Sequence, residues 1–485
     1  GHEENASGNV TVGGTSYKLA TEHNADGTVK NNDEYDILSI KINKIDPKAI
    51  WNFGFTVAPY HYYSDPETYP VDIKNNQFGV DWAKFDFMKG VIQGSNKNGD
   101  SKNKVPVGAG PYVASDEKYS DSPKENSFYH NKAVYYKANE SFILGAPKIK
   151  KLCYQEVSSN NALGVLKSGS VHYIEPQYTK ENKQELDDLK SKGYNSLNSW
   201  QLGYGYIGIN AGKVENIYLR RAIMAAMDTK LVLDYYSDQT AVNIAWPMSV
   251  VSWAYPRTAG NSYDGKNPTA NMEVSNDFSD GKHVSHDYTR FTNEDDAKAK
   301  IKKYMGLAGV GEGSSQLTIK FTIAGSNLTE HPTYATFSKA AKILNECGWN
   351  VDVVPDTNAL IKLSSGALTV WAAAWGGGID PDMYQIYHKN SSTTNVLAWG
   401  YREILTRTAT YPEENRILTE MSKLIDNGRK TDDQGKRAEI YKNAMGYVLD
   451  LAVEMPCYQR QVLYAYNANV INKDSMPEKV NPFTS

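Results

Sequence analysis

Two carboxylates two residues apart, Asp380 and Asp382, sit in the second half of the segment TVWAAAWGGGIDPDMYQIY, residues 369–387. Paired acids of this kind can act as general acid and base in glycoside cleavage. Their separation across Pro381 suits another role better: an Asp just before a proline at the first helical position accepts hydrogen bonds from the free N–H groups of the opening turn. Upstream, Thr369 to Trp371 favour a strand, and Gly376, Gly377 and Gly378 remove every side chain where a ligand would approach backbone. Trp371 and Trp375 offer flat apolar surfaces beside Asp380, Asp382 and Tyr384, which is the make-up of a loop that grips an amphipathic ligand. Tryptophans packed in a core, with glycines that only turn the chain, account for the same residues equally well.

Other chemistry-bearing groups give weaker patterns. His283 and His286 with Asp287 have the residue types of a metal site, yet they lie in a polar stretch with no third distant ligand, which points to a solvated loop. Residues 309–313, GVGEG, echo a dinucleotide-binding glycine loop but follow a helical pattern instead of a strand, so they read as a helix-ending turn. Cys153, Cys347 and Cys457 are too few and scattered for a disulfide framework and lack local histidine context for a thiol nucleophile. No nucleophile elbow, zinc-binding HExxH helix or phosphate-binding P-loop occurs. Neither a catalytic constellation nor a cofactor or metal site is expected.

The elements that must position these residues fall in two stretches. Residues 1–32 are polar and glycine-rich and read as loop or marginal hairpin. Strands are expected over 36–45, 105–112, 133–136 and 204–210, with a short helix over 158–167. From 218 to 236 apolar residues at helical spacing give the strongest helix pattern. Helix, strand, helix and strand then alternate over 293–307, 317–323, 333–346 and 350–354, the signature of a mostly parallel α/β lobe. Helices over 413–426 and 434–453 precede a strand over 455–466. At 485 residues the chain exceeds one hydrophobic core. Its 22% charged residues and net charge of −4 leave no footprint for nucleic acid or an anionic membrane surface. No apolar run reaches the roughly 18 residues of a spanning helix. Tyrosine outnumbers phenylalanine, 34 to 12, favouring half-buried rings with polar tips, which suit binding surfaces. The opening Gly1-His2 reads as a remnant of tag removal, and the chain as a segment of a longer protein.

Read in order, several segments resemble the solute-binding proteins of ABC importers, in the large oligopeptide and dipeptide class. VPVGAGPYVAS from Val105 resembles that family's PxGTGPY strand, and NESFILGAPKIKKLCYQEV from Asn139 its N-x-x-Y-x-x-G-x-P stretch. ALGVLKSGSVHY from Ala162 resembles its A-x-x-x-L-x-x-G helix end, although His172 stands where an acid is usual. YGYIGINAGKVENIYLRRAIMAAMDTKLV from Tyr204 resembles the crossover strand and the following helix, with Arg221, Ala222, Ala226 and Asp228 matching directly. DDAKAKIKKYMGLAGV, AKILNECGWNVDV and WGGGIDPD complete the series.

The resemblance implies an α/β, two-lobed fold like the periplasmic binding proteins (type II, large peptide-binder class), with mixed sheets and hinge-crossing strands. It implies a first lobe over 1–205, lacking its N-terminal part and completed by 462–485, and a second lobe over 206–461. It further implies capture of an oligopeptide in an interlobe cleft, delivery to a membrane permease, no catalysis and a monomer held outside the membrane, lipid-anchored or periplasmic. Trp371, Trp375 and Tyr384 would be cleft walls, Gly376, Gly377 and Gly378 backbone access, and Asp380 and Asp382 anchors or caps. Tyr204, Tyr206, Asn210, Tyr458 and Arg460 would face the ligand from hinge strands. Two departures bear on the ligand. The family's N-terminal strand region and small extra domain have no counterpart here, and Gly378 occupies the place of an aspartate that pairs with a peptide's amino terminus. Asp380 is one substitute for that acid. A ligand without an amino terminus, such as an oligosaccharide stacking on Trp371, Trp375, Trp246 or Trp253, is the other solution. Peptide is favoured because that ligand class dominates the family, and an enzyme using the acids around Asp380 is the remaining alternative.

Overall fold

A computed structural model describes residues 102–158, 161–236, 240–258, 267–378 and 380–476, with shorter stretches between 8 and 79. By contact density the chain separates into residues 1–44 with 52–157, and residues 45–51 with 158–485.

The first unit is built from small sheets. The glycine-rich opening does form a hairpin, β1 (Asn9–Val12) against β2 (Thr15–Leu19), extended in parallel by β3 (Glu34–Tyr35). The strand expected over 36–45 falls largely outside the described residues. A two-stranded pair follows, β4 (Val71–Asp72) with β5 (Gln77–Phe78). An antiparallel sheet then joins β6 (Tyr112–Ser115), β7 (Tyr129–His130), β8 (Ala133–Ala138) and β9 (Lys151–Gln155). The strand expected over 105–112 begins only at Tyr112, because Pro106, Gly108, Gly110 and Pro111 deny that stretch regular ladder pairing.

The second unit is organised around an eight-stranded sheet ordered β10-β17-β12-β16-β14-β15, with β11 and β13 also on β17. Its members are β10 (Tyr173–Ile174), β11 (Tyr194–Trp200), β12 (Gly205–Ile209), β13 (Ala241–Asn243), β14 (Thr318–Ala324), β15 (Asn350–Asp356), β16 (Val370–Ala374) and β17 (Glu454–Asn467). β14 runs parallel to both β15 and β16, as helix–strand alternation requires, while β12 is antiparallel to its neighbours. The 14-residue β17 pairs with β10 and β11 through its far end and with β12 and β13 through its near end. Between Tyr458 and Gln461 this one continuous strand passes from β12 and β13 to β11.

Period-two alternation sorts side chains between two cores. Ile207, Ile209, Val370 and Ala372 join one cluster, with Ile223, Ile301, Phe337 and Leu344 from helices Ile217–Ala225, Glu294–Ala308 and Tyr334–Glu346. Tyr206 and Trp371 join the other, with Trp399 and with Met421, Tyr441 and Val448 from helices Pro412–Gly428 and Gln434–Leu451. The single helix expected over 218–236 is broken: it ends at Ala225, and Asp228 caps a short 3-10 turn by accepting from the Lys230 N–H before helix Val232–Tyr236 resumes. Among the described residues no helix is long and apolar enough to cross a membrane.

Candidate functional site

The glycine segment leaves the sheet at the end of β16. Gly208 on β12 lies directly opposite Trp371 on β16 and Glu454 on β17. A Cβ at Gly208 would run into the Trp371 indole, so the missing side chain is what lets that ring lie across the sheet. Trp371 is only 2% exposed and stacks on Trp399 with ring centroids 5.6 Å apart. This tryptophan, expected as a wall of the site, is a core residue.

Trp375, one residue beyond the strand, is half-buried and stacks almost parallel on Tyr206, with centroids 4.7 Å apart and planes 8° from parallel. Its N–H donates to the Tyr204 carbonyl at 2.9 Å. A Cβ at Gly203 would strike the Trp375 carbonyl, and one at Gly377 the Leu202 carbonyl, so these two glycines permit close backbone approach. Gly376 has nothing within 4 Å of a built Cβ, and Gly378 only the Asp380 carbonyl at 3.8 Å. Ala374 and all three glycines are exposed. Open backbone beside a half-buried indole is therefore what this loop presents.

Behind Trp375 lies a fully buried acid that sequence reading missed. The Glu454 Oε1 accepts from the Tyr204 hydroxyl at 2.8 Å, and Oε2 accepts from the Tyr387 hydroxyl at 2.7 Å and from the Trp375 indole N–H at 3.4 Å. The two hydroxyls are themselves 2.9 Å apart. Burial raises the Glu454 carboxyl to about 7, against the pull of the bonds from Tyr387, Tyr204 and Trp375. Burial and the nearby Glu454 charge push the Tyr204 and Tyr387 phenols far above their ordinary range. The available signal was a lone acid between Val453 and Met455 in an otherwise apolar strand; Tyr387 and Trp399 carried no such mark.

The acids of the loop are engaged differently from expectation. The helix after the glycines begins at Tyr384, not at Pro381 (Tyr384–Tyr387). Asp380 does not cap it: both Asp380 oxygens accept from Arg437, at 3.2 and 2.8 Å, a bidentate pair. Arg437 also lies over the half-buried Trp253 ring, 5.0 Å from its centroid. Burial lowers the Arg437 guanidinium, but its bonds to Asp380 and the nearby Tyr441 outweigh this and hold it above its usual value. Asp382 takes the local role, accepting from the Tyr384 N–H at 3.1 Å. Tyr384 is half-buried between Arg429, 4.4 Å from its ring centroid, and the stacked His388 at 4.2 Å.

Of the hinge-strand residues, Tyr204 and Tyr206 join the Trp375 and Glu454 group. Asn210 is buried and structural, accepting from the Gly212 N–H at 2.8 Å and donating to the Gly366 carbonyl at 3.1 Å. Tyr458 is buried against Tyr236, over which Arg460 also lies, 5.7 Å from the ring centroid. The Tyr458 ring also lies against Gly205, the strand partner of Ala374. Trp246 is fully buried, T-shaped against Phe278, and has no surface on which a sugar would stack.

The histidine stretch is not a solvated loop. His283 and His286 are both buried on the two oxygens of Asp450, at 2.9 and 2.8 Å, and the pair fastens their loop to helix Gln434–Leu451. Burial alone would raise the Asp450 carboxyl, yet these two bonds bring it below its ordinary value. Asp287 points elsewhere, to Lys303 and Tyr304. Among the described residues no cluster of three or more His, Cys, Asp or Glu fits a metal ion. Gly309 ends helix Glu294–Ala308 in the left-handed conformation at φ 68°, the turn expected of GVGEG.

The sequence profile described as bacterial extracellular solute-binding proteins, family 5 middle, matches residues 8–396. The chain belongs to that family. No curated protein matches it in sequence. Among solved structures it is similar to the Bacillus subtilis oligopeptide-binding protein AppA in complex with a nonapeptide, at 16% identity and TM-score 0.54, covering 78% of this chain and 64% of that one. It is similar to the Helicobacter pylori periplasmic binding protein DppA in complex with the peptide STSA, at 15% identity and TM-score 0.54, covering 87% and 69%. Brucella suis NikA in complex with Fe(III)-EDTA matches at 14% identity and TM-score 0.52, over 78% and 67%. The chain thus spans less than two thirds of the Bacillus subtilis protein. At these identities the likeness shows the fold, the mixed α/β architecture of the solute-binding proteins.

Proposed function

We propose that this chain is the ligand-capturing part of an ABC-importer solute-binding protein that takes oligopeptides and hands them to a membrane permease. The observation that carries this reading is the exposed run Gly376 to Gly378 beside the half-buried Trp375. Open N–H and C=O groups along an extended segment suit main-chain pairing with a peptide, and the adjacent indole offers a surface for one of its side chains. Peptide complexes among the structural relatives support the class.

On this reading the peptide's amino terminus is recognised by residues outside this loop. Gly378 carries no acid, and Asp380 would have to leave Arg437 to receive an ammonium group, stranding a guanidinium whose own side chain is 4% exposed. That same arrangement favours a second reading, an oligosaccharide stacked on Trp375, which needs no acid at this place. The hinge at β12 and β17, a monomeric state and a lipid anchor outside the membrane belong to the proposal as the family's manner of working. Cleavage by Asp380 does not fit its bidentate engagement, and turnover that disappears in Asp380→Asn would reverse this conclusion.

Thermal unfolding of the purified chain with pooled tripeptides to pentapeptides, and separately with pooled short oligosaccharides, tests the assignment, since a ligand that binds only the folded state raises the midpoint. A rise with peptides alone is expected. A rise with sugars alone replaces peptide by oligosaccharide.

A further inference from the structure

Glu454, Tyr204 and Tyr387 form a closed triangle of three short oxygen–oxygen contacts, at 2.8, 2.7 and 2.9 Å. Each contact needs one hydrogen, and each phenol supplies one. With an ionised carboxylate there are two hydrogens for three contacts. Both phenols then donate to the carboxylate, and the hydroxyl oxygens face each other with lone pairs alone. A proton on Glu454 completes the ring: the carboxyl donates to Tyr204, Tyr204 to Tyr387, and Tyr387 back to the other carboxyl oxygen. Loss of that proton breaks the contact between the phenols and concentrates negative charge on the oxygen that receives the Trp375 indole N–H. A charged acceptor strengthens that long bond.

The groups that face Glu454 from each element packed on it are neutral. Tyr206 comes from β12, Tyr387 from helix Tyr384–Tyr387, Tyr401 from helix Tyr401–Thr406, and Tyr204 and Trp375 from the ends of β12 and β16. The buried guanidiniums of Arg437 and Arg220 are paired with other acids, Asp380 and Glu414. No ion pair joins Glu454 among the described residues, so its charge is met by three hydrogen-bond donors and no cation. Burial places its titration near neutral pH, where a small change in pH changes the occupancy of the ring.

We propose that Glu454 is a positioning residue for ligand capture, its proton deciding how firmly the Trp375 indole, and with it the stacked Tyr206 ring, is drawn toward β17. The inference rests on the reading of Trp375 as a ligand-facing ring, while its proton-linked part stands independently. As pH rises through the titration, the indole is pulled inward and its presentation at the glycine loop changes.

Tryptophan fluorescence of the full chain without ligand, titrated from pH 5.5 to 8.5, tests the proton-linked part. The expected result is a step within about one unit of pH 7 that is absent in both Glu454→Gln and Trp375→Phe. Tyr387→Phe, which removes one donor to the charged form and leaves the carboxyl in place, moves the midpoint upward. Persistence of the step in Glu454→Gln or Trp375→Phe overturns the proposal, as does an unmoved midpoint in Tyr387→Phe. Calorimetric titration with a mixed tetrapeptide pool supplies the second arm. Its apparent affinity changes at least about fivefold across the same interval in the parent and stays flat in Glu454→Gln. An affinity independent of pH in the parent overturns the positioning role. A fluorescence step with no binding of the pool at any pH instead counts against peptide capture and leaves the link between Glu454 and Trp375 standing.

Discussion

Glu414 and Glu454 are both buried acids of the second unit, and they are housed by opposite means. Glu414 meets Arg220 at 2.9 Å, and that guanidinium also donates to the carbonyls of Val214, Glu215 and Leu451. Charge there is cancelled and every direction of the fork is used. Glu454 has two phenols and an indole, which can soften a charge without cancelling it. The cancelled acid joins two helices in the packed interior; the uncancelled one lies directly behind the ring that borders the exposed glycines. The acid whose burial lifts it toward neutral pH is thus the one beside Trp375.

Converting the first region into an uncompensated one gives the largest expected effect. Arg220→Met leaves Glu414 buried without its cation, and urea unfolding followed by circular dichroism should show a loss of about 3–5 kcal/mol. A loss below about 1 kcal/mol would mean that the Arg220 pair does not differ from Glu454 in the way described. The two tryptophans extend the comparison from charge to packing. Trp371→Ala removes a fully buried ring and should lower stability by about 3–5 kcal/mol in the same assay.

Next in size is the pH dependence of Glu454. Its folded-state value, about 7, lies above the ordinary 4.5, so the folded state holds the proton more tightly than the unfolded chain. The stability this contributes is complete below about pH 4.5 and is lost as pH rises through about 7. Its magnitude is on the order of 3 kcal/mol. Unfolding free energies measured between pH 4.5 and 8 should therefore fall more steeply in the parent than in Glu454→Gln, and parallel curves would contradict the assignment. The smallest effect belongs to Trp375→Ala. It should weaken ligand binding by roughly 1–3 kcal/mol, read by calorimetry with whichever pool raises the unfolding midpoint. A stability loss as large as that of Trp371→Ala, with affinity untouched, would place Trp375 in the core as well.

The sequence carried the regular elements of the second unit well because their signals are local. Apolar spacing marked helices Glu294–Ala308 and Tyr334–Glu346 to within about a residue, and β-branched runs marked β14 and β15. It failed where a side chain competes with the backbone: Asp228 stops a helix that apolar periodicity alone would continue to Tyr236. Within the site, spacing along the chain drew attention to Trp371, Trp375 and the glycines, but it could not tell which ring faces inward. That distinction depends on Gly208, 163 positions before Trp371 and on another strand. Asp380 was misread for a similar reason, since its partner Arg437 is 57 positions away. The histidines looked solvated because the Asp450 that buries them lies more than 160 positions along the chain.

β17 has a consequence for how the molecule is made. It lies between β10 and β12 in the sheet, yet it follows both by more than 200 residues; Asn198 and Gln461, bonded across β11 and β17, are 263 positions apart. Until residues 454–467 emerge from the ribosome, β10, β11 and β12 have an open edge where their common partner belongs. Contacts this distant in sequence form slowly, and unpaired edges invite pairing with other chains. Until this last long strand arrives, those edges are the part of the second unit most exposed to mispairing.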